Sequence, residues 1–509
     1  MKFRKIEKLL PWLIVALAFF LRFFRGEALF PFTMDEEYQA LLVKQILEKR
    51  HLPLIGVNVA DTGLYLGPFF TYFSVIPYFL FGSSPIGGVL LAALLGAVTT
   101  FVLFKLGEVL DKPVGLLASF LYAVSFLANA YDRKFWNPSL VPLLSALLLL
   151  SLIKVRKKSY WWLIIFGILG LSFHVHYSLL GLLPITVYFI FKSKIKLKGY
   201  WPKLGLLTFL LITSPLLLFD LRHDFLQTKA FLNLLKPGSL KNVFEMTQFQ
   251  EKFIQLIKTS SRLVLVSGKH DLAKEINLCS NLEKTTPFLG FSLLLPLSFV
   301  FLWKQKLNRE KRRILQFLIG GVLSFITVFL FSPFSPAEYY LLPFFPLSYL
   351  IFAWAFEKTM KQSSLIFQVL GSGALLGLVL HNTSAVMNMK NSFGLEKKRE
   401  VINWAATVIN DSSYSLESIG RCHRFEGYHY LFTVFFKSPE KSFMDPYFSW
   451  LYPEPQFKPM SPEKEIILFN DSEEISAKER DEWQMALARV SSQKILADFD
   501  NIKVLILQK

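Results

Sequence analysis

The sequence predicts an all-α polytopic membrane protein of about eleven transmembrane helices, with interfacial helices in its first outer loop and a small C-terminal α/β domain outside the membrane. Three observations predict it. Of 509 residues, 53% are hydrophobic and only 18% are charged, where a soluble domain carries about 25% charged residues. Apolar runs that span a bilayer core, or nearly span it, recur between residues 9 and 381, and residues 382–509 contain none. Basic residues gather in every second loop, so the net charge of +18 reads as a topology signal and not as a nucleic-acid surface.

Taken in order, the first run, "LLPWLIVALAFFLRFF" (9–24), lacks a small-residue cleavage site and reads as a retained span. Further runs occupy 86–104, 114–130, 138–153, 160–175, 177–191, 204–219, 286–303, 314–332, 340–356 and 364–381. With "MKFRKIEK" inside, the loops "KLGEVLDK", "KVRKK", "KSKIKLKGYWPK", "KQKLNREKRR" and "EKTMK" all face the cytoplasm. The chain is thus expected in the cell membrane with a cytoplasmic N-terminus and residues 382–509 extracytoplasmic. The stretch "PFFTYFSVIPYFLFG" (68–82) is apolar enough to cross, but crossing would turn three basic loops outward. It is read as a helix in the outer interface, which makes 26–85 one large outer loop. A second outer loop covers 220–285, helical in "FEMTQFQEKFIQLIKTSSRL".

In the C-terminal part, "EIILFN" (465–470) and "IKVLILQ" (502–508) read as strands, and 396–410 and 476–490 as helices. The Pro- and aromatic-rich "DPYFSWLYPEPQFKP" (445–459) reads as a packed loop, although such loops can also stack on sugar rings. Two cysteines, Cys279 and Cys422, exclude a disulfide framework and a CxxC motif, and would pair only if the fold brought them together.

Several runs, among them 86–104, 138–153, 204–219 and 314–332, hold no ionisable side chain, whereas transporters keep such groups near the bilayer centre. Charges collect instead at the outer ends of spans: Asp35 and Glu36, "YDRKFWNP" (131–138), "HVHYS" (174–178), "FDLRHDF" (219–225) and "SPAEYY" (335–340). One depth for residues from separate segments is the pattern of an active site at the outer interface. It argues against a transporter such as a flippase. A catalytically inactive assembly partner is the other rival reading.

Thr33-Met34-Asp35-Glu36 fits a capping box, with Thr33 as N-cap and Glu36 reaching back, so Glu36 has both a structural and a catalytic reading. Asp35, in the first turn, would be kept ionised by the helix amides and could act as a general base. Arg133 and Lys134, among Tyr131, Phe135 and Trp136, are either snorkelling members of an aromatic belt or a cation pair for a lipid phosphate. Arg222 and His223 could grip phosphate, with Asp220 and Asp224 pairing to them. His174 and His176 lack metal-ligand spacing. His176, Tyr339 and Tyr340 could donate hydrogen bonds to phosphate or sugar, and both tyrosines could equally be interface anchors.

"MDEEY" in the first outer loop, with "DTGLYLGPFFTYF" (61–73), "YDRKFWNPSLVP" (131–142), "FHVHYSLLGLLP" (173–184), "PLLLFDLRHDF" (215–225) and "EYYLLPFFP" (338–346), resembles the GT-C glycosyltransferases that use polyprenyl-phosphate sugars. The likeness is to bacterial family 39 members, relatives of the protein O-mannosyltransferases and the lipid A aminoarabinose transferase, and it covers most of residues 1–380. It implies a transmembrane catalytic domain over 1–381 and inverting transfer of a sugar to an acceptor hydroxyl. Asp35 matches the first acidic position, the base, and Glu36 the second. Arg133, Arg222, His176 and Tyr340 are the implied contacts to the leaving phosphate. No cofactor beyond the lipid-linked donor is expected. Some branches use a divalent ion, which Asp35 with Asp132 or Asp224 could hold, but the metal-free reading is preferred. The chain departs from the protein O-mannosyltransferases in lacking a large inserted domain, which favours a lipid-linked or envelope glycan over a protein acceptor.

Overall fold

The computed structural model describes residues 2–49, 52–59, 62–192, 199–234, 246–266, 270–275, 289–332, 336–420, 424–452, 462–472 and 475–508. Cys279 and Cys422, whose pairing the sequence left open, lie outside the described residues.

In lipid a backbone can satisfy its N–H and C=O groups only within itself, so each long apolar run is driven to helix. Within the described residues the predicted spans lie on helices, the run 286–303 being described from Leu289. Five helices are long and apolar enough to cross a bilayer by length and composition: Ile86–Glu108, Asn137–Lys154, Tyr200–Arg222, Arg309–Leu330 and Leu365–Met387. Shorter or more charged helices carry the remaining runs, including Lys2–Phe23, Trp161–Val175, Tyr177–Lys192, Leu289–Lys304 and Phe344–Gln362. The predicted run 114–130 is a bent pair, Lys112–Val124 and Phe126–Asp132, turning by 66°.

That bend has an identifiable cause. Ser125 leaves the helical region (φ −59°, ψ 127°), and its side chain accepts from the Ala128 N–H to start the second segment. The groups freed by the break are satisfied by side chains: Asn382 accepts from the Phe126 N–H at 3.1 Å, and Asn129 donates to the Ala123 and Ser125 carbonyls at 2.8 and 2.7 Å. The stretch 68–82 forms a twelve-residue helix, Phe69–Leu80, roughly 18 Å long and too short for a ~30 Å hydrocarbon core. The span Leu365–Met387 is almost uncovered, with 6% of its apolar window buried. Its polar end, by contrast, is tied down by Asn382, and by His381 bonded to the Val266 carbonyl at 2.7 Å.

The C-terminal part builds a five-stranded sheet from β1 (Tyr414–Ile419), β2 (Lys441–Ser442), β3 (Lys464–Asn470), β4 (Gln493–Phe499) and β5 (Ile502–Gln508), in the order β2-β1-β3-β5-β4. β1 runs parallel to β2 and β3, while β3–β5 and β4–β5 are antiparallel. Asp500 (φ +60°) opens the two-residue turn between β4 and β5, where a positive φ suits Asp and Asn. Helix Ala477–Ala488 starts at a full capping box, Ser476 with Glu479, and stacks Trp483 on Phe469 at 4.9 Å. The opposite face of the sheet, with Leu416, Ile466, Leu468, Val504 and Ile506, joins the main core.

Candidate active site

The helix Met34–Lys49 begins at the residues that the sequence singled out. The Glu36 carboxylate accepts from the Thr33 N–H at 3.0 Å and from its hydroxyl at 2.7 Å. Glu36 is thereby turned inward and buried, while the neighbouring Asp35 side chain stays 44% exposed. The two carboxylates share one cation. Lys134 lies 3.4 Å from Asp35 and 3.6 Å from Glu36, and it donates to the Thr33 hydroxyl at 3.1 Å.

Lys134 reaches that place from a rigid turn. Ser139 donates to the Lys134 carbonyl at 2.6 Å and accepts from the Trp136 N–H at 3.0 Å, which sets the Trp136 indole 4.2 Å from the ammonium. A cation against an aromatic face is held electrostatically, here beside two carboxylates. Trp136 packs 5.0 Å from Tyr339, Tyr339 lies 4.5 Å from Tyr340, and His176 packs at 5.5 and 5.2 Å from the two tyrosines. Asp35, Glu36, Lys134, His176, Tyr339 and Tyr340 are thus brought together from four separate segments.

The tyrosine turn, Glu338–Leu341, is anchored from behind. Buried Glu338 accepts from the hydroxyls of Tyr131 and Thr259, each at 3.0 Å, and faces Arg262 at 3.4 Å. His176 accepts from the Ser178 N–H at Nδ1, 3.2 Å, which places its own proton on Nε2. Burial pushes its conjugate acid down to about 4, so it is neutral at pH 7 and acts as an N–H donor. Burial pushes Glu36 up to about 7, opposed by Lys134. Burial also works against the charge of Lys134, but Glu36 and Asp35 hold it above the usual ammonium range.

Three expected phosphate contacts lie elsewhere. Arg133 is buried and turned away from Lys134, donating to the Leu21 carbonyl and, at 3.0 Å, to the Phe24 carbonyl. Arg222 and His223 sit exposed at the end of Tyr200–Arg222, and His223 bonds the Phe219 carbonyl at 2.8 Å through Nδ1. Asp220 pairs with neither. It caps the next helix, accepting from the Gln227 N–H at 2.7 Å and from the Thr228 hydroxyl. Asp132, a conceivable metal partner for Asp35, is instead bound by Arg22 at 2.7 Å and by the Tyr122 hydroxyl. Among the described residues, no group of three or more His, Cys, Asp or Glu is placed to hold a metal ion.

Sequence reasoning assigned no role to the buried charges behind these groups: Glu37, Glu338, Arg262, Lys398 and Glu426. Glu37 accepts from the Tyr430 N–H at 2.8 Å, and burial raises its carboxyl to about 7. The one available signal for it was a third consecutive acidic residue with no solvent-facing reason to be there.

The family model described as dolichyl-phosphate-mannose-protein mannosyltransferase matches residues 66–219. Among solved structures, ArnT from Cupriavidus metallidurans bound to undecaprenyl phosphate aligns with a TM-score of 0.59, at 11% identity over 97% of both chains. Its apo state aligns at 0.54 and 13% identity, again over 97% of both chains. No curated protein matches by sequence. The structural likeness is one of fold. With the family model, it bears out the resemblance to GT-C glycosyltransferases.

Proposed function

We propose that this chain, which has the GT-C fold, transfers one sugar from a polyprenyl-phosphate donor to an acceptor hydroxyl on a lipid-linked or envelope glycan, with inversion, at the outer face of the cell membrane. The observation that carries the reading is a part-exposed carboxylate, Asp35, 3.4 Å from a buried ammonium, Lys134, beneath a wall of Trp136, Tyr339, Tyr340 and His176. The family model over 66–219 supports a glycosyltransferase. The solved complex of ArnT with undecaprenyl phosphate supports a polyprenyl phosphate as the lipid.

In this reading Asp35 takes the proton of the acceptor hydroxyl as its oxygen bonds to the anomeric carbon. The bond from that carbon to the phosphate oxygen breaks, and its electron pair leaves with the polyprenyl phosphate. Charge grows on that phosphate, so donors fixed in advance lower the barrier. Lys134 supplies charge, His176 an Nε2–H, and Tyr339 and Tyr340 hydroxyls. Glu36 holds the start of the helix and balances Lys134. Neither Arg133 nor the exposed pair Arg222 and His223 is needed. These donors suffice without a metal, because a phosphate on a lipid is already a good leaving group. The N-terminus is cytoplasmic, and the sheet domain extracytoplasmic. A protein Ser or Thr is the second acceptor class.

The test is sugar transfer by the purified protein in lipid. A panel of polyprenyl-phosphate sugars is offered with extracted envelope acceptors to the wild type and to Asp35→Asn. Transfer by the wild type alone supports both the reaction and the base. Equal transfer by both removes Asp35 as base, and no transfer by the wild type with any donor removes the reaction.

A further inference from the structure

The stretch that carries Asp35 is stitched to the C-terminal domain, residue after residue. Arg399 pairs with Glu27 at 2.9 Å, Asn391 donates to the Leu29 carbonyl at 3.1 Å, and the Leu395 N–H donates to the Phe30 carbonyl at 3.1 Å. The Met34 N–H donates to the Phe425 carbonyl at 3.0 Å, and Glu37 accepts from the Tyr430 N–H. Gly394 and Gly427 make the approach possible: a Cβ would fall 2.0 Å from the Ala28 carbonyl oxygen at the first, and 2.4 Å from the Phe32 ring at the second. Gly427 also holds a φ of +75°.

One side chain at the middle of this seam is unlike the rest. Lys398, on helix Leu395–Ile409, is fully buried, and its ammonium makes two short bonds, to the Glu426 carboxylate at 2.6 Å and to the Phe32 carbonyl at 2.7 Å. Phe32 immediately precedes the Thr33 cap and stands three residues before Asp35. A desolvated ammonium gains most when its partners sit at fixed geometry. Here one partner belongs to the C-terminal domain and the other is the backbone that starts the Asp35 helix.

We propose that Lys398, locked by Glu426, is the positioning residue through which the C-terminal domain sets Asp35 against Lys134. It touches neither substrate nor reacting atoms. It fixes the direction in which the chain enters the cap, and hence where the Asp35 carboxylate stands. The proposal deepens the transferase reading and rests on it only for the activity readout. Misplacing a catalytic group by about 1 Å can lower turnover on the order of 100-fold.

The test uses the full chain in lipid with the double variant Lys398→Met, Glu426→Gln, so that no lone buried charge is left, and with Lys398→Arg as the conservative change. Hydrogen exchange at the Met34 and Tyr430 amides is measured beside kcat and the two KM values. Faster exchange confined to these amides, with kcat down about 100-fold and both KM values within about two-fold, is expected, and Lys398→Arg should recover part of the loss. Unchanged local exchange overturns the proposal whatever the activity does. Faster exchange throughout the chain also overturns it, since Lys398 would then be a general stabiliser. A local exchange change in a protein whose wild type transfers no sugar would sink the transferase reading and leave the docking role of Lys398 standing.

Discussion

The ammonium of Lys134 stands 3.4 Å from the carboxylate of Asp35, 99 positions away along the chain. The contact joins the start of helix Met34–Lys49 to the turn after the bent helix pair, and the proposed chemistry depends on it. Lys134→Met should leave Glu36 and Asp35 without their shared cation. Turnover is expected to fall on the order of 100-fold. Stability is expected to drop by about 3 kcal/mol, because the buried Glu36 loses its partner. Lys134→Arg should keep part of both. Transfer kinetics and thermal unfolding in the same detergent check this.

Arg133, one residue earlier, should behave in the opposite way. Its guanidinium is bound to the Phe24 and Leu21 carbonyls. Arg133→Gln is expected to lower the melting temperature, through unpaired buried carbonyls, by about 1–3 kcal/mol of stability. The KM for the polyprenyl-phosphate donor should stay within about two-fold of wild type in the folded fraction. A rise of about ten-fold in donor KM would instead return Arg133 to the phosphate site.

His176 is neutral at pH 7 and presents an N–H. His176→Ala should raise donor KM or lower kcat by about ten-fold, corresponding to about 1.4 kcal/mol for one lost hydrogen bond to a charged group. Its conjugate-acid pKa of about 4 means that its own titration leaves no mark on a pH–rate profile between 6 and 9. A limb near 6.5 that vanishes in His176→Ala would contradict this account.

Glu37 makes the stability of the protein depend on pH. Burial raises its carboxyl from the ordinary 4.5 to about 7 in the folded chain. Between those values the folded state binds more protons than the unfolded state, so stability falls as pH rises from 4.5 through 7. The loss reaches about 3 kcal/mol by pH 8, at the usual 1.36 kcal/mol per pKa unit. Glu37→Gln keeps an oxygen acceptor for the Tyr430 N–H and should flatten that slope, raising the melting temperature at pH 8 more than at pH 5. Unfolding curves at the two pH values decide it.

What could be read in the chain and what could not divide along one physical line. Spans announce themselves, because apolar length is a local property, and so does the Thr33–Glu36 cap, which lies within four residues. β3 and β5 were legible as short apolar runs. β1 and β4 were not: "YSLESI" alternates with polar residues, and "QKILADF" is an edge strand whose side chains are mostly outside the core. The site was half legible. Sequence reasoning offered Arg133 and Lys134 as a cation pair and favoured Arg133 for the phosphate, but a tight turn sends neighbouring side chains in opposite directions, and only tertiary contact says that Lys134 meets Asp35. Asp220 was read as a partner for Arg222 or His223, whereas two backbone N–H groups seven and eight residues on claim it. Lys398 is more than 360 residues from Phe32, and no local pattern marks a lysine that the fold will bury.

The nearly bare span Leu365–Met387 leaves a last consequence. A rod that its own protein scarcely touches has acyl chains for neighbours on most of its circumference, so the length of those chains matters to it directly. Its polar end is held by His381 on the Val266 carbonyl and by Asn382, which grips the backbone where the bent pair turns, eight residues before Lys134. A change in bilayer thickness would therefore load the joint of the bent pair, from which the chain runs on to the turn that carries Lys134.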